Sequence, residues 1–105
     1  MDKEQFLLLK VMEEAAEVQQ MCSKCIQFGM DERYKDGPTN LERLMGEVDD
    51  LCNTLFLLEE SSEVDIFPPG NQDDFIYSLE MKRDKLNKYL KISSKEGRIG
   101  EDIVI

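Results

Sequence analysis

Apolar residues recur at three- and four-residue spacing along most of the chain, and strand-like alternation is nearly absent. The pattern predicts three helices. The first runs from about Lys3 to Gln27 on a stripe of Leu7, Leu8, Val11, Ala15, Val18, Cys22, Cys25 and Ile26, with Gly29 as its stop. The polar stretch 29–38, punctuated by Gly37 and Pro38, reads as a loop. Thr39-Asn40-Leu41-Glu42 has the capping-box form, so a second helix starts there. Its stripe is Leu41, Leu44, Val48, Leu51, Cys52, Leu55 and Leu58, fading at Ser61-Ser62. Phe67-Pro68-Pro69-Gly70 is the clearest break. Beyond it, Asn71 or Asp73 is expected to cap a third helix carrying Phe75, Ile76, Leu79, Leu86, Tyr89 and Leu90, ended by Gly97 and Gly100. The tail Ile103-Val104-Ile105 is expected to add a strand or dock on a neighbour. The expected class is all-α, a bundle of three main helices per chain. Three helices of this size cannot cover both leucine-rich stripes, so a second copy is expected to complete the bundle, as a dimer or tetramer.

Length narrows the organisation: 105 residues are expected to form one domain, with a core over about 3–94 and a tail over 95–105. Charge narrows the function. The chain has 23 acids against 13 bases, a net charge of −10, which argues against wrapping nucleic acid because that needs clustered Lys and Arg. No aromatic–basic interleaving supports such a role either. There is no histidine, so a His–Asp triad, a zinc–histidine cluster and a Glu-x-x-His di-iron site are excluded. Three cysteines cannot close a disulfide framework, which fits a reducing cytoplasm. Cys22-Ser23-Lys24-Cys25 is formally CxxC, but it falls late in a helix rather than at an N-terminus that would activate a thiol, so both cysteines read as small core residues. Met12, Met21, Met30, Met45 and Met81 read as gap fillers. No apolar run approaches the ~20 residues of a membrane span, and Met1-Asp2-Lys3-Glu4 does not begin a signal peptide.

The distribution of charge is uneven. Residues 1–80 hold 19 acids and 6 bases, whereas 81–105 hold 4 acids and 7 bases. That basic cluster reads mainly as a solvated helix face, with Lys85 and Lys88, near Tyr89, as candidate phosphate and base contacts. Arg33 and Lys35, in a loop able to close over a ligand, are the alternative.

The chemistry lies in the acids of the first two helices. Aligned at an offset of 33 residues, Val11 matches Leu44, Glu14 matches Glu47, Ala15 matches Val48, Glu17 matches Asp50 and Val18 matches Leu51. Each helix therefore carries an acidic pair, i and i+3, along one shoulder of its apolar face. Packed antiparallel by these stripes, the two pairs come within reach of each other. Carboxylates gathered in a partly buried cleft repel and lose solvation, a cost that a divalent cation offsets. All-oxygen ligands favour a hard ion, Mg²⁺, or Mn²⁺ in its place. Magnesium commonly keeps positions for water and phosphate oxygens, so the expected chemistry is attack of an activated water on a phosphoanhydride. The competing reading is a catalytically silent acidic helical module that binds a partner protein or mimics DNA through its carboxylates.

Glu13-Glu14-Ala15-Ala16-Glu17 followed by Glu47-Val48-Asp49-Asp50 resembles the EExxE…ExxD signature of the MazG-like, all-α nucleoside triphosphate pyrophosphohydrolases. Ser23-Lys24-Cys25-Ile26-Gln27-Phe28-Gly29, Thr39-Asn40-Leu41-Glu42-Arg43-Leu44 and Lys85-Leu86-Asn87-Lys88-Tyr89-Leu90 resemble its flanking stretches, so the likeness covers most of residues 4–98, nearest to small phage and bacterial members. The resemblance implies a homo-oligomer that cleaves a nucleoside triphosphate between the α and β phosphates, giving monophosphate and pyrophosphate. It implies Glu14, Glu17, Glu47 and Asp50 as magnesium ligands and Glu13 as a supporting acid that could orient the attacking water. It also implies Lys24 and Asn40 as substrate contacts. Related enzymes act on phosphoribosyl-ATP, a second substrate the residues leave open. The family usually has Glu-Glu-Leu-Gly-Asp where this chain has Gly46-Glu47-Val48-Asp49-Asp50, and Gly46 inside a helix costs up to about 1 kcal/mol.

Overall fold

A computed structural model describes residues 1–67, 72–99 and 103–105. The chain divides into two compact units, Met1–Phe67 and Pro68–Ile105. The described regular structure is helical: α1 (Lys3–Phe28), α2 (Asn40–Ser62) and α3 (Gln72–Lys95). No strand forms among the described residues beyond an isolated bridge between Arg33 and Thr39. None of the described helices is long and apolar enough to cross a membrane.

In the first unit, short polar side chains fix both helix starts. Asp2 accepts from the Gln5 N–H at 2.8 Å while the Gln5 side chain accepts from the Asp2 N–H at 3.0 Å, a reciprocal cap on α1. Thr39 and Glu42 do the same for α2, as their spacing predicts, at 3.1 and 3.3 Å. The N–H and hydroxyl of Thr39 hold the Glu42 carboxyl below its ordinary pKa. Gly29 stops α1 with φ +98°, a conformation side chains resist, and its N–H donates to the Cys25 carbonyl at 2.9 Å. The loop then turns back on the start of α2: the Asn40 N–H donates to Glu32 O at 2.9 Å, the Leu41 N–H to Met30 O at 3.0 Å, and the Asn40 side-chain amide to Gly29 O at 2.9 Å. After α2, Glu63 adopts φ +52°. Glu59 accepts from the N–H groups of Ile66 and Phe67, both at 2.8 Å, and the Phe67 ring stacks on Phe56 with centroids 4.4 Å apart.

The packing between α1 and α2 differs from the sequence expectation in which residues it buries. The covered line on α1 is Leu7, Val11, Glu14, Val18, Met21 and Cys25; on α2 it is Leu44, Glu47, Leu51, Leu55 and Leu58. Met21, expected only to fill gaps, is buried, and so is Leu58. Ala15, Cys22 and Ile26 are exposed instead, with Ile26 at 85%, and Leu8, Leu41 and Val48 are largely open. Each helix has an apolar arc wider than one partner helix covers, and the half centred on Met21 and Leu58 wins. Cys22 is therefore not a core residue; all three thiols are free.

In the second unit, Asp73 and Asp74 lie in the first turn of α3 and Lys95 in the last, each complementing the helix dipole. The helix stops at Lys95, and Gly97 takes φ +76°. The tail forms no strand at 103–105; Ile105 docks on α3, donating its N–H to Asn87 Oδ1 at 2.8 Å and accepting from Asn87 Nδ2 at 3.3 Å. Leu86 and Leu90 are half-buried, while Phe75, Ile76, Leu79 and Tyr89 of the expected stripe stay exposed. The Pro-Pro-Gly break at 68–70, the Asn71 cap and the stop at Gly100 lie outside the described residues.

Candidate metal centre

The seam between α1 and α2 carries carboxylates where its spacing calls for leucine. Glu14 and Glu47 occupy covered positions on the two helices, and Glu17 and Asp50 follow each by three residues on the same side. Glu14, Glu47 and Asp50 each offer an oxygen, and the three oxygens lie within 4.8 Å of one another. Glu14 and Glu47 are half-buried and Asp50 is exposed. The Oε2 atoms of Glu14 and Glu47 are each buried without a hydrogen-bond partner, an arrangement folded proteins avoid unless a ligand satisfies it.

Glu17 lies outside that close trio, yet its nearness acts on both Glu14 and Glu47. Its nearness is the first cause raising the Glu47 pKa, followed by burial and the charges of Glu17, Asp50 and Glu14. Burial is the first cause raising the Glu14 pKa, followed by Glu17, Asp50 and Glu13. Glu14 and Glu47 therefore take up protons more readily than isolated glutamates, and a cation placed beside their oxygens would reverse that preference. The donor set, three carboxylate oxygens, is of the kind a hard divalent ion takes.

A cleft of about 430 Å³ opens beside the cluster, with Glu17, Glu47 and Asp50 on one side and Lys24 and Arg43 also lining it. Gly46 lines the same cleft, and a Cβ there would meet nothing within 4 Å. The glycine thus leaves the cleft wall bare rather than relieving a clash.

Of the other expected site residues in the first unit, Lys24 lines this cleft and Glu13 and Asn40 do not. Glu13 is exposed and paired with Lys10 at 2.9 Å, so it acts on the cluster only through its charge on Glu14. Lys24 reaches the cleft directly. Asn40 spends its side-chain amide on Gly29 O and lines a neighbouring cavity. Lys85, Lys88 and Tyr89 are exposed on α3 in the second unit; the carboxylate cleft is built by the first unit alone. Sequence reasoning did not single out Arg43, Phe28 or Tyr34 as functional. Their signal is faint: Arg43 is one turn past the Asn40 that ties α2 to the end of α1, which brings it to Lys24 and Phe28.

No family model, curated protein or solved structure matches the chain.

Proposed function

We propose that this chain is a Mg²⁺-dependent nucleoside triphosphate pyrophosphohydrolase of the MazG-like type, with Mn²⁺ able to substitute. The observation that carries the reading is the seam cluster: three carboxylate oxygens within 4.8 Å and two buried oxygens lacking any partner. An apolar seam gains nothing from that arrangement without a cation. Glu14, Glu47 and Asp50 hold the ion, and Glu17, in reach of Glu14 and Glu47, completes the set. A bound divalent ion supplies Lewis-acid polarisation of a phosphoanhydride and neutralises the charge that develops on it. Lys24 and Arg43, on the wall of the same cleft, give a polyphosphate positive partners inside an acidic protein. Glu13, paired with Lys10, adds its negative charge beside Glu14. The uncovered apolar residues Leu8, Met12, Ile26, Met45 and Val48 support assembly with a second copy.

The test is a panel of ribo- and deoxyribonucleoside triphosphates, with phosphoribosyl-ATP, incubated with the protein and Mg²⁺. Monophosphate and pyrophosphate are the expected products, and orthophosphate alone would redirect the reading to another phosphatase. Glu47→Gln and Asp50→Asn should each abolish turnover with the helical signal intact; activity retained in either removes that residue from the site. A protein that neither turns over a nucleotide nor responds to Mg²⁺ is the acidic interaction module instead.

A further inference from the structure

A second cavity, also of about 430 Å³, adjoins the carboxylate cleft and shares Lys24 and Arg43 with it. Its chemistry is the opposite of its surroundings. Residues 1–67 contain 16 acids and only 6 bases, yet three of those bases, Lys24, Arg33 and Arg43, line this cavity against a single acid, Glu32. Two aromatic rings, Phe28 and Tyr34, share its wall and are 64% and 70% exposed. The Lys35 ammonium sits over the Tyr34 ring, 5.4 Å from its centroid.

Two of the cations stand beside Gly37. Arg33 donates from Nη1 to the Gly37 carbonyl at 3.2 Å, and Arg43 Nη2 lies 3.3 Å from where a Cβ on Gly37 would stand. Arg43 also keeps its Nε buried without an acceptor, a donor that an anion could satisfy. Rings for stacking, guanidinium groups for a phosphate, and a wall shared with the carboxylate cleft form a consistent set.

We propose that this cavity is the subsite for the ring-bearing end of a phosphorylated ligand, with Arg33 and Tyr34 as its specificity-determining residues and Arg43 and Lys24 holding the phosphate at the boundary with the cleft. The inference rests on the proposed nucleotide chemistry for the role of the ligand, but its binding test does not need the metal. Calorimetry on the full chain would compare the four common nucleoside 5′-monophosphates with ribose 5-phosphate in EDTA, and inorganic tripolyphosphate in Mg²⁺.

At least one monophosphate should bind more tightly than ribose 5-phosphate. It should bind about tenfold more weakly to Tyr34→Leu and to Arg33→Gln, both exposed loop substitutions. Gly37→Ala, whose Cβ would crowd the Tyr34 carbonyl and Arg43 Nη2, should weaken it as well. Mg²⁺-tripolyphosphate should bind Tyr34→Leu as it binds the unaltered chain. The subsite is overturned if no monophosphate outbinds ribose 5-phosphate, or if neither loop substitution weakens it. Monophosphate binding without any Mg²⁺-dependent tripolyphosphate binding overturns the metal centre and leaves the subsite standing.

Discussion

Consider the protein titrated with Mg²⁺ at constant ionic strength while its helical signal is followed through thermal melts. The folded first unit offers three carboxylate oxygens within 4.8 Å, a site the unfolded chain lacks. A ligand bound only by the folded state stabilises it, and above saturation each tenfold rise in free Mg²⁺ adds about 1.4 kcal/mol whatever the Kd. The site belongs to Met1–Phe67, and for a unit of that size 1 kcal/mol moves Tm by about 4–8 °C. The expected slope is therefore about 6–11 °C per tenfold in Mg²⁺. General screening gives no such slope, because NaCl at matched ionic strength leaves the Debye length unchanged. Glu47→Gln keeps the side chain's size and removes one charge from the cluster. It should melt higher than the unaltered protein without Mg²⁺, since less repulsion remains, and its slope should fall to the NaCl baseline. A wild-type slope equal to that baseline refutes the reasoning, as does a full slope retained in Glu47→Gln.

Without a cation, Glu14 and Glu47 keep their protons to higher pH in the folded than in the unfolded chain. Their contribution is full below the ordinary glutamate range and is lost as pH rises through the raised values, so Mg²⁺-free melting temperatures should fall from mildly acid to neutral pH. Glu42 works in the opposite sense at lower pH, so the readout is the difference between the unaltered chain and the Glu14→Gln/Glu47→Gln double variant, whose fall should be smaller; equal falls would exclude these two groups as the cause. Leu58→Ala removes a side chain only 6% exposed and should cost about 2–5 kcal/mol. For a unit of Met1–Phe67, that is a large share of a total stability of about 3–10 kcal/mol. Denaturant unfolding measures it, and a loss under about 1 kcal/mol would place the main packing elsewhere.

Local signals were the legible part of this fold. Thr39 and Glu42 mark the start of α2 because a capping box is written in two residues three apart, and it forms as spaced. Gly29 and Gly97 mark helix stops because few other residues adopt their positive φ. The side of each helix that becomes covered was not legible. Leu8, Met12 and Ile26 are as apolar as Leu7, Val11 and Met21, so periodicity defines a broad arc without choosing its covered half. That choice decides the candidate site, because it moves Glu14 and Glu47 from the shoulder of the stripe into the seam. Glu17 and Asp50 were equivalent by offset, yet Asp50 joins the close trio while Glu17 stands beside it. The cavity of Arg33, Tyr34 and Arg43 depends on how the loop turns back through Asn40, a long-range closure that residue spacing does not encode.

The placement of acids on both sides of the seam also sets a length scale for sliding. Leucine seams tolerate slippage, since one turn of displacement, about 5.4 Å, exchanges one apolar contact for another. Glu14 cannot move that far along α2 and still meet Glu47 and Asp50 within a span of 4.8 Å. Repulsion alone rewards the displaced alignment, whereas a shared counter-ion rewards only the aligned one. The same ion would thus act as a gauge that locks the two helices at a single relative height.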